Sequence, residues 1–182
     1  MRTRSVYLLF PLLLTLLPAV AHAVEFAEEA SEAGTRMVKV GEGTFKWTFF
    51  RIYDGALYID ARQPDADPLS DVARRLVLEY NRSFTAEQFR NSGNEILERN
   101  TDPETLQGLR DRLETLNAAY QPVGKGDRYA LTYVPGAGTS LRLNGERLVT
   151  VPGADFARAY FSIWLGEDPA KESFRDDLLG DR

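Results

Sequence analysis

Chemistry in a protein chain usually begins with histidine or cysteine, and this sequence has one histidine, His22, and no cysteine. His22 lies in an apolar N-terminal stretch. The rest of the chain therefore offers no Ser-His-Asp triad, no Cys-His dyad and no His or Cys metal site. Acidic pairs occur at Glu28 with Glu29, Asp65 with Asp67 and Asp176 with Asp177. They fall in loops or on polar helix faces and read as solvated surface, since paired carboxylates of the glycosidase kind need a cleft. Gly41-Glu42-Gly43 looks like part of a phosphate-binding glycine fingerprint. A strand pattern follows it where a helix N-terminus would be required, which argues against nucleotide binding. Nothing in these residue types asks for a cofactor.

Three polar residues stand inside an aromatic run. Arg51 shares a two-residue register with Phe45, Trp47, Phe49 and Tyr53. It could hold a ligand carboxylate in a dry pocket, or snorkel to solvent from a strand end. Lys46, on the other face with Thr48, is open to the same two readings. Tyr53, Tyr58, Tyr80, Phe84 and Phe89 could line an apolar ligand cavity or be ordinary core.

The elements that position these residues follow from periodicity. Val24–Ala33 is acidic and rich in small residues, a frayed lead-in. Arg36–Val40 alternates as a strand, and Gly41-Glu42-Gly43 reads as a turn. Phe45–Ile59 is a long run of aromatic and β-branched residues, one strand with a bulge or tight turn at Asp54-Gly55. Both of its faces carry apolar groups, which predicts cover on both sides. Gln63–Ser70 reads as loop, and Leu76–Tyr80 as a strand. Thr85 with Gln88 forms a capping box that opens a helix burying Phe89, Ile96 and Leu97. Asp102-Pro103 opens a second helix with Leu106, Leu109, Leu113 and Leu116 on one stripe. Three strands follow at Arg128–Val134, Ser140–Leu143 and Arg147–Val151, the last two joined by Asn144-Gly145. A helix with Phe156, Tyr160, Ile163 and Trp164 on one stripe stops at Gly166. Asp168-Pro169 caps a last short helix with Phe174 and Leu178 inward. The fold class expected is α+β: an antiparallel sheet with helices packed against it.

The first 23 residues read as a secretory signal. Arg2 and Arg4 precede the apolar run Val6–Val20, and Ala21-His22-Ala23 has the small-x-small pattern of a cleavage site. The run is short and broken by Pro11 and Pro18, which disfavours a membrane span of about 20 residues. A lipid-anchored form is excluded by the absence of cysteine. Cleavage after Ala23 leaves 159 residues and takes the formal net charge from −5 to −7. That length suits one domain, residues 24–182. The charge argues against nucleic acid or an anionic membrane as a partner. The expected location is periplasmic, with no membrane span after cleavage and no indication of oligomeric state.

Several segments resemble the chalcone isomerase-like family, in its bacterial exported branch. They are Gly41-x-Gly43, Phe50-Arg51-Ile52-Tyr53-x-x-Ala56-Leu57-Tyr58, the stretch Gly126-Asp127-x-Tyr129-x-Leu131-x-Tyr133-x-Pro135-Gly136-x-Gly138-Thr139, and Asn144-Gly145 followed by Asp155-Phe156-Ala157-x-Ala159-Tyr160-Phe161-x-Ile163-Trp164-Leu165-Gly166. The resemblance implies a curved antiparallel sheet with helices on one side (an open-faced sandwich) and a cleft between sheet and helices. The family includes enzymes that close a chalcone to a flavanone and relatives that bind fatty acids. Both use an arginine in a Gly-x-Gly-x-Arg pattern, and here that place is Phe45. The enzymes' tyrosine and asparagine align with Phe89 and Ile96, and their strand threonine with Thr48. Loss of the enolate-stabilising cation removes the electrostatic centre of that mechanism.

The expected function is therefore non-catalytic binding of a small apolar ligand such as a fatty acid. The candidate ligand-binding residues are Lys46, Thr48, Arg51, Tyr53, Tyr58 and Phe89, with no catalytic residue. Two alternatives stay open. One is an isomerase or intramolecular lyase on an unknown enone, with Lys46, Tyr53 or Tyr58 as acid or electrophile. The other is an interaction protein with the pocket packed shut.

Overall fold

The computed structural model describes residues 24–180. The predicted leader, residues 1–23, lies outside the described residues. Seven strands form one antiparallel sheet in sequence order: β1 (Glu29–Glu32), β2 (Thr35–Trp47), β3 (Phe50–Asp60), β4 (Arg74–Tyr80), β5 (Arg128–Val134), β6 (Gly138–Leu143) and β7 (Glu146–Val151). Four helices complete the fold: α1 (Ala86–Asn100), α2 (Pro103–Ala119), α3 (Ala154–Leu165) and α4 (Glu172–Leu179). All four contribute buried side chains to one core on one face of the sheet. Leu97 of α1, Leu116 of α2, Phe161 of α3 and Phe174 of α4 meet Leu57 and Leu131 there. The opposite face buries Met37, Ala56, Tyr58 and Ala130 beneath Phe26 of the N-terminal segment. β3 is thus covered on both sides, as its two apolar faces predict.

The sheet curls. Glu32 of β1 accepts hydrogen bonds from Arg142 of β6 at 2.9 Å and Arg147 of β7 at 2.7 Å. The first strand can reach the last two only if the sheet bends toward the face away from the helices. Burial raises the Glu32 pKa, but the Arg142 and Arg147 hydrogen bonds outweigh it and hold the carboxyl below its usual value.

Helix starts agree with the sequence signals. Thr85 and Gln88 make the reciprocal capping box of α1. Asp102 accepts from the Thr105 amide, with Pro103 in the first turn of α2. Asn144 and Gly145, at φ +50° and +88°, form the two-residue turn between β6 and β7.

Five local expectations need correction. The Phe45–Ile59 run is not one strand. Trp47 pairs with Phe50, so the chain reverses at Thr48-Phe49 and makes the β2–β3 hairpin. The sequence hides this turn because no Gly, Asn, Asp or Pro marks it. Thr48 takes φ +53°, a region that β-branched residues avoid. Asp54-Gly55 lies inside β3, and the bulges sit instead at the register shifts between Lys39 and Gly41 and between Phe45 and Lys46. Gly41-Glu42-Gly43 is not a turn either, because it continues β2. A Cβ on Gly41 would lie 2.4 Å from the Leu178 carbonyl oxygen, and one on Gly43 2.5 Å from the Asp177 Cβ. These glycines let α4 sit directly on the strand backbone. The supposed lead-in contains β1, whose turn to β2 uses Ala33 and Gly34 at positive φ. Finally, α4 begins after Lys171, which makes no side-chain cap, rather than at Asp168-Pro169.

Candidate ligand-binding site

Between the sheet and α1 and α3 lies a cavity of about 490 Å³. That volume is within the range of small-molecule sites. The β2–β3 hairpin contributes Phe45, Ile52 and Tyr53. The register shift opposite Phe45 and Lys46 inserts Ile52 as an extra residue, so that consecutive residues of β3 both reach the cavity. Alternation on β4 and β5 supplies Leu78, Tyr80, Tyr129 and Leu131. α3 presents Tyr160, Ile163 and Trp164 from one stripe. α1 closes the remaining side with Phe89, Gly93 and Ile96, while Gln88, Asn91, Ser92 and Glu95 are exposed and form the rim.

The walls are largely aromatic and interlocked. Phe45 and Tyr53 lie 4.7 Å apart between ring centroids, Phe89 stacks on Tyr120 at 5.1 Å, and Tyr80 meets Phe89 edge-on at 5.4 Å. Such pairs fix ring positions and hold the walls apart.

The polar groups in the cavity are phenols. The Tyr120 and Tyr160 hydroxyls are 2.6 Å apart. Each phenol has one proton, so that bond uses one and leaves the other free to donate. Tyr53 adds a further phenol, with the Trp164 side chain beside it in the same wall. Tyr129 is already satisfied, accepting from the Gln121 amide at 2.8 Å and donating to the Gln121 carbonyl at 2.9 Å. Burial raises the pKa of Tyr53, Tyr80, Tyr120, Tyr129 and Tyr160, so all stay neutral donors at physiological pH. Among the described residues lining the cavity, none is Lys, Arg or His, and the one acid, Glu95, is on the rim. A ligand oxygen can be hydrogen-bonded here, but a buried anion would find no counter-charge.

Of the residues singled out from the sequence, Tyr53, Tyr80, Phe84 and Phe89 line this cavity. Lys46 and Thr48 are exposed near the hairpin tip. Arg51 is outside the lining and donates to Asp54 at 2.7 Å through its terminal nitrogen. Asp54, only 3% exposed, also accepts from Thr44 and Asn81. Tyr58 faces the other side of the sheet, where its hydroxyl donates to the Ala27 carbonyl at 2.8 Å. The hairpin turn at Thr48-Phe49 and the extra residue Ile52 take Arg51 out of the register that had joined it to Phe45 and Tyr53. Sequence reasoning missed Tyr120, Tyr129 and Tyr160. The alternation Tyr129, Leu131, Tyr133 and the spacing of Tyr160 and Trp164 do place these rings inward. Neither pattern distinguishes a cavity wall from packed core.

Residues 19–180 match the sequence model of the family described as chalcone isomerase-like. The crystal structure of a fatty-acid binding protein from Arabidopsis thaliana superposes with a TM-score of 0.61 at 15% identity, over 85% of this chain and 90% of that one. At that identity the likeness is one of fold. No curated protein sequence matches this chain. The match over nearly the full length, together with the seven-stranded curled sheet and its helical layer, means that this chain belongs to the chalcone isomerase-like family.

Proposed function

We propose that this protein binds one small apolar molecule without transforming it. The observation that carries this reading is the cavity: about 490 Å³, walled by aromatic and aliphatic side chains, with neutral phenol donors and no lining cation. The ligand is an acyl chain or similar hydrocarbon, with an uncharged oxygen directed at Tyr53, Tyr80 or the Tyr120–Tyr160 pair. A fatty acid enters as the protonated acid, because Phe45 occupies the place of the family's arginine. The fatty-acid binding activity named for the Arabidopsis protein fits this class of ligand. Lipid extraction and mass spectrometry of the purified protein test the reading. One stoichiometric acyl or other apolar species supports it. A protein that carries no such molecule and takes none up on titration defeats it.

We also propose that the protein acts after export to the periplasm, as a member of the family's bacterial exported branch. Arg2, Arg4, the apolar run and Ala21-His22-Ala23 support this. Intact mass of the protein recovered from its native compartment, beginning at Val24, is the expected result. A chain retaining Met1 in the cytoplasm would contradict it.

The isomerase reading draws on the same phenols, which could polarise an enone carbonyl. It lacks a general base inside the cavity, because the lining tyrosines are held neutral and Glu95 is on the rim. The interaction reading required the pocket to be packed shut, and the cavity weighs against it.

A further inference from the structure

Large apolar side chains are exposed at one place among the described residues. Trp47 is 66% exposed, Phe49 99% and Phe50 53%, all at the tip of the β2–β3 hairpin. Three aromatics that could have packed inward instead project from the end of a two-stranded ribbon. An exposed aromatic cluster of this kind marks an interaction site. The tip also carries cations. Arg82 lies with its guanidinium carbon 4.3 Å from the centre of the Phe50 ring. Lys46 flanks Trp47 in sequence and is exposed. Among the described residues, neither Lys46 nor Arg82 forms an ion pair, whereas Arg51 is committed to Asp54.

We propose that this hairpin tip docks on a lipid bilayer whose surface is anionic. Trp and Phe on a narrow protruding loop enter the headgroup boundary, and Lys46 and Arg82 meet lipid phosphates beside them. The overall negative charge, which argued against such a surface, is an average over the chain, and at the tip Lys46 and Arg82 are exposed without an ion pair among the described residues. Position adds a functional reason. Phe45, Ile52 and Tyr53 of the same hairpin line the cavity. Phe49 is four residues beyond Phe45, and the turn keeps the two closer than the about 13 Å that an extended chain would span. Docking the tip therefore brings the cavity's hairpin wall to the membrane, the reservoir of apolar molecules.

Co-sedimentation with phosphatidylcholine vesicles, and with the same vesicles containing phosphatidylglycerol, tests the proposal. The protein is expected to sediment with the anionic vesicles. The Trp47→Ser/Phe49→Ser double variant should bind them more than tenfold more weakly. Its uptake of a soluble apolar probe should be unchanged, because neither residue lines the cavity. Lys46→Glu/Arg82→Glu should remove the preference for phosphatidylglycerol. Absence of vesicle binding by the unmodified protein, or binding undiminished in the Trp47/Phe49 variant, overturns the proposal. So does a dimer in sedimentation velocity that Phe49→Ser dissolves, since the tip would then serve a second copy of the chain.

Discussion

The absence of a lining cation makes a quantitative claim about pH. Dodecanoic acid and 1-dodecanol have the same chain and differ in whether the oxygen head can ionise. If the head enters the cavity, only the uncharged acid binds well, because none of the lining residues is Lys, Arg or His. A free carboxylic acid titrates near pH 4.3, and full burial without a partner raises such a pKa by about 3–5 units. The bound acid thus has the higher pKa, and binding weakens as pH rises above the free value. From pH 5 to pH 7 the Kd of the acid should rise about tenfold per unit, about 100-fold in all, or roughly 2.7 kcal/mol. The lining tyrosines do not contribute in this window, since burial pushes each of their pKa values upward. 1-Dodecanol should show a flat profile. Displacement of a fluorescent apolar probe at fixed temperature measures both. An acid that binds equally well at pH 5 and pH 7 refutes the reasoning. It would put the carboxylate in water at the rim, beside Gln88, Asn91 and Ser92.

Four other substitutions test separate parts of the structure. Gly93→Leu places a side chain in the cavity, because the Cβ meets only Ile163 at 3.8 Å and Tyr160 at 3.9 Å. Probe uptake should fall at least tenfold with the far-UV dichroism unchanged. Gly108→Ala, with nothing within 4 Å, should leave uptake alone and raise stability by about 1 kcal/mol in urea denaturation. Gly41→Ala forces its Cβ to within 2.4 Å of the Leu178 carbonyl oxygen and should cost about 1–3 kcal/mol, read as a lowered denaturation midpoint. Asp54 titrates below its usual value: burial raises its pKa, but hydrogen bonds from Arg51, Thr44 and Asn81 outweigh it. Its contribution is present above the unfolded pKa, near 4, and is lost as pH falls through the lower folded value. Asp54→Asn should cost about 1–3 kcal/mol at pH 7 and shrink the acid-induced loss of stability, measured by urea titrations from pH 7 to pH 3. An unchanged acid limb would separate Asp54 from that transition.

Local patterns were enough to determine most elements. The Thr85–Gln88 capping box, Asp102-Pro103, Asn144-Gly145 and the alternation in Arg128–Val134 each depend on residues a few positions apart. Their outcome is therefore written in the chain itself. The hairpin turn at Thr48-Phe49 was not legible, because a threonine at φ +53° is tolerated only when β2 and β3 have already paired around it. The glycines at 41 and 43 looked like a turn because their reason is α4, more than 130 residues later in the chain. The site shows the same division. Inward-facing Tyr129, Tyr160 and Trp164 could be read from period alone, but packed core and cavity wall have identical patterns. The distance at which α1 and α3 are held from the sheet decides between them. Neutral phenols with spare protons, and a cavity free of cations, arise only when Tyr53, Tyr80, Tyr120 and Tyr160 converge from β3, β4, the end of α2 and α3. Tertiary structure alone sets that convergence, since each ring's hydrogen-bond partner and burial come from a different part of the chain.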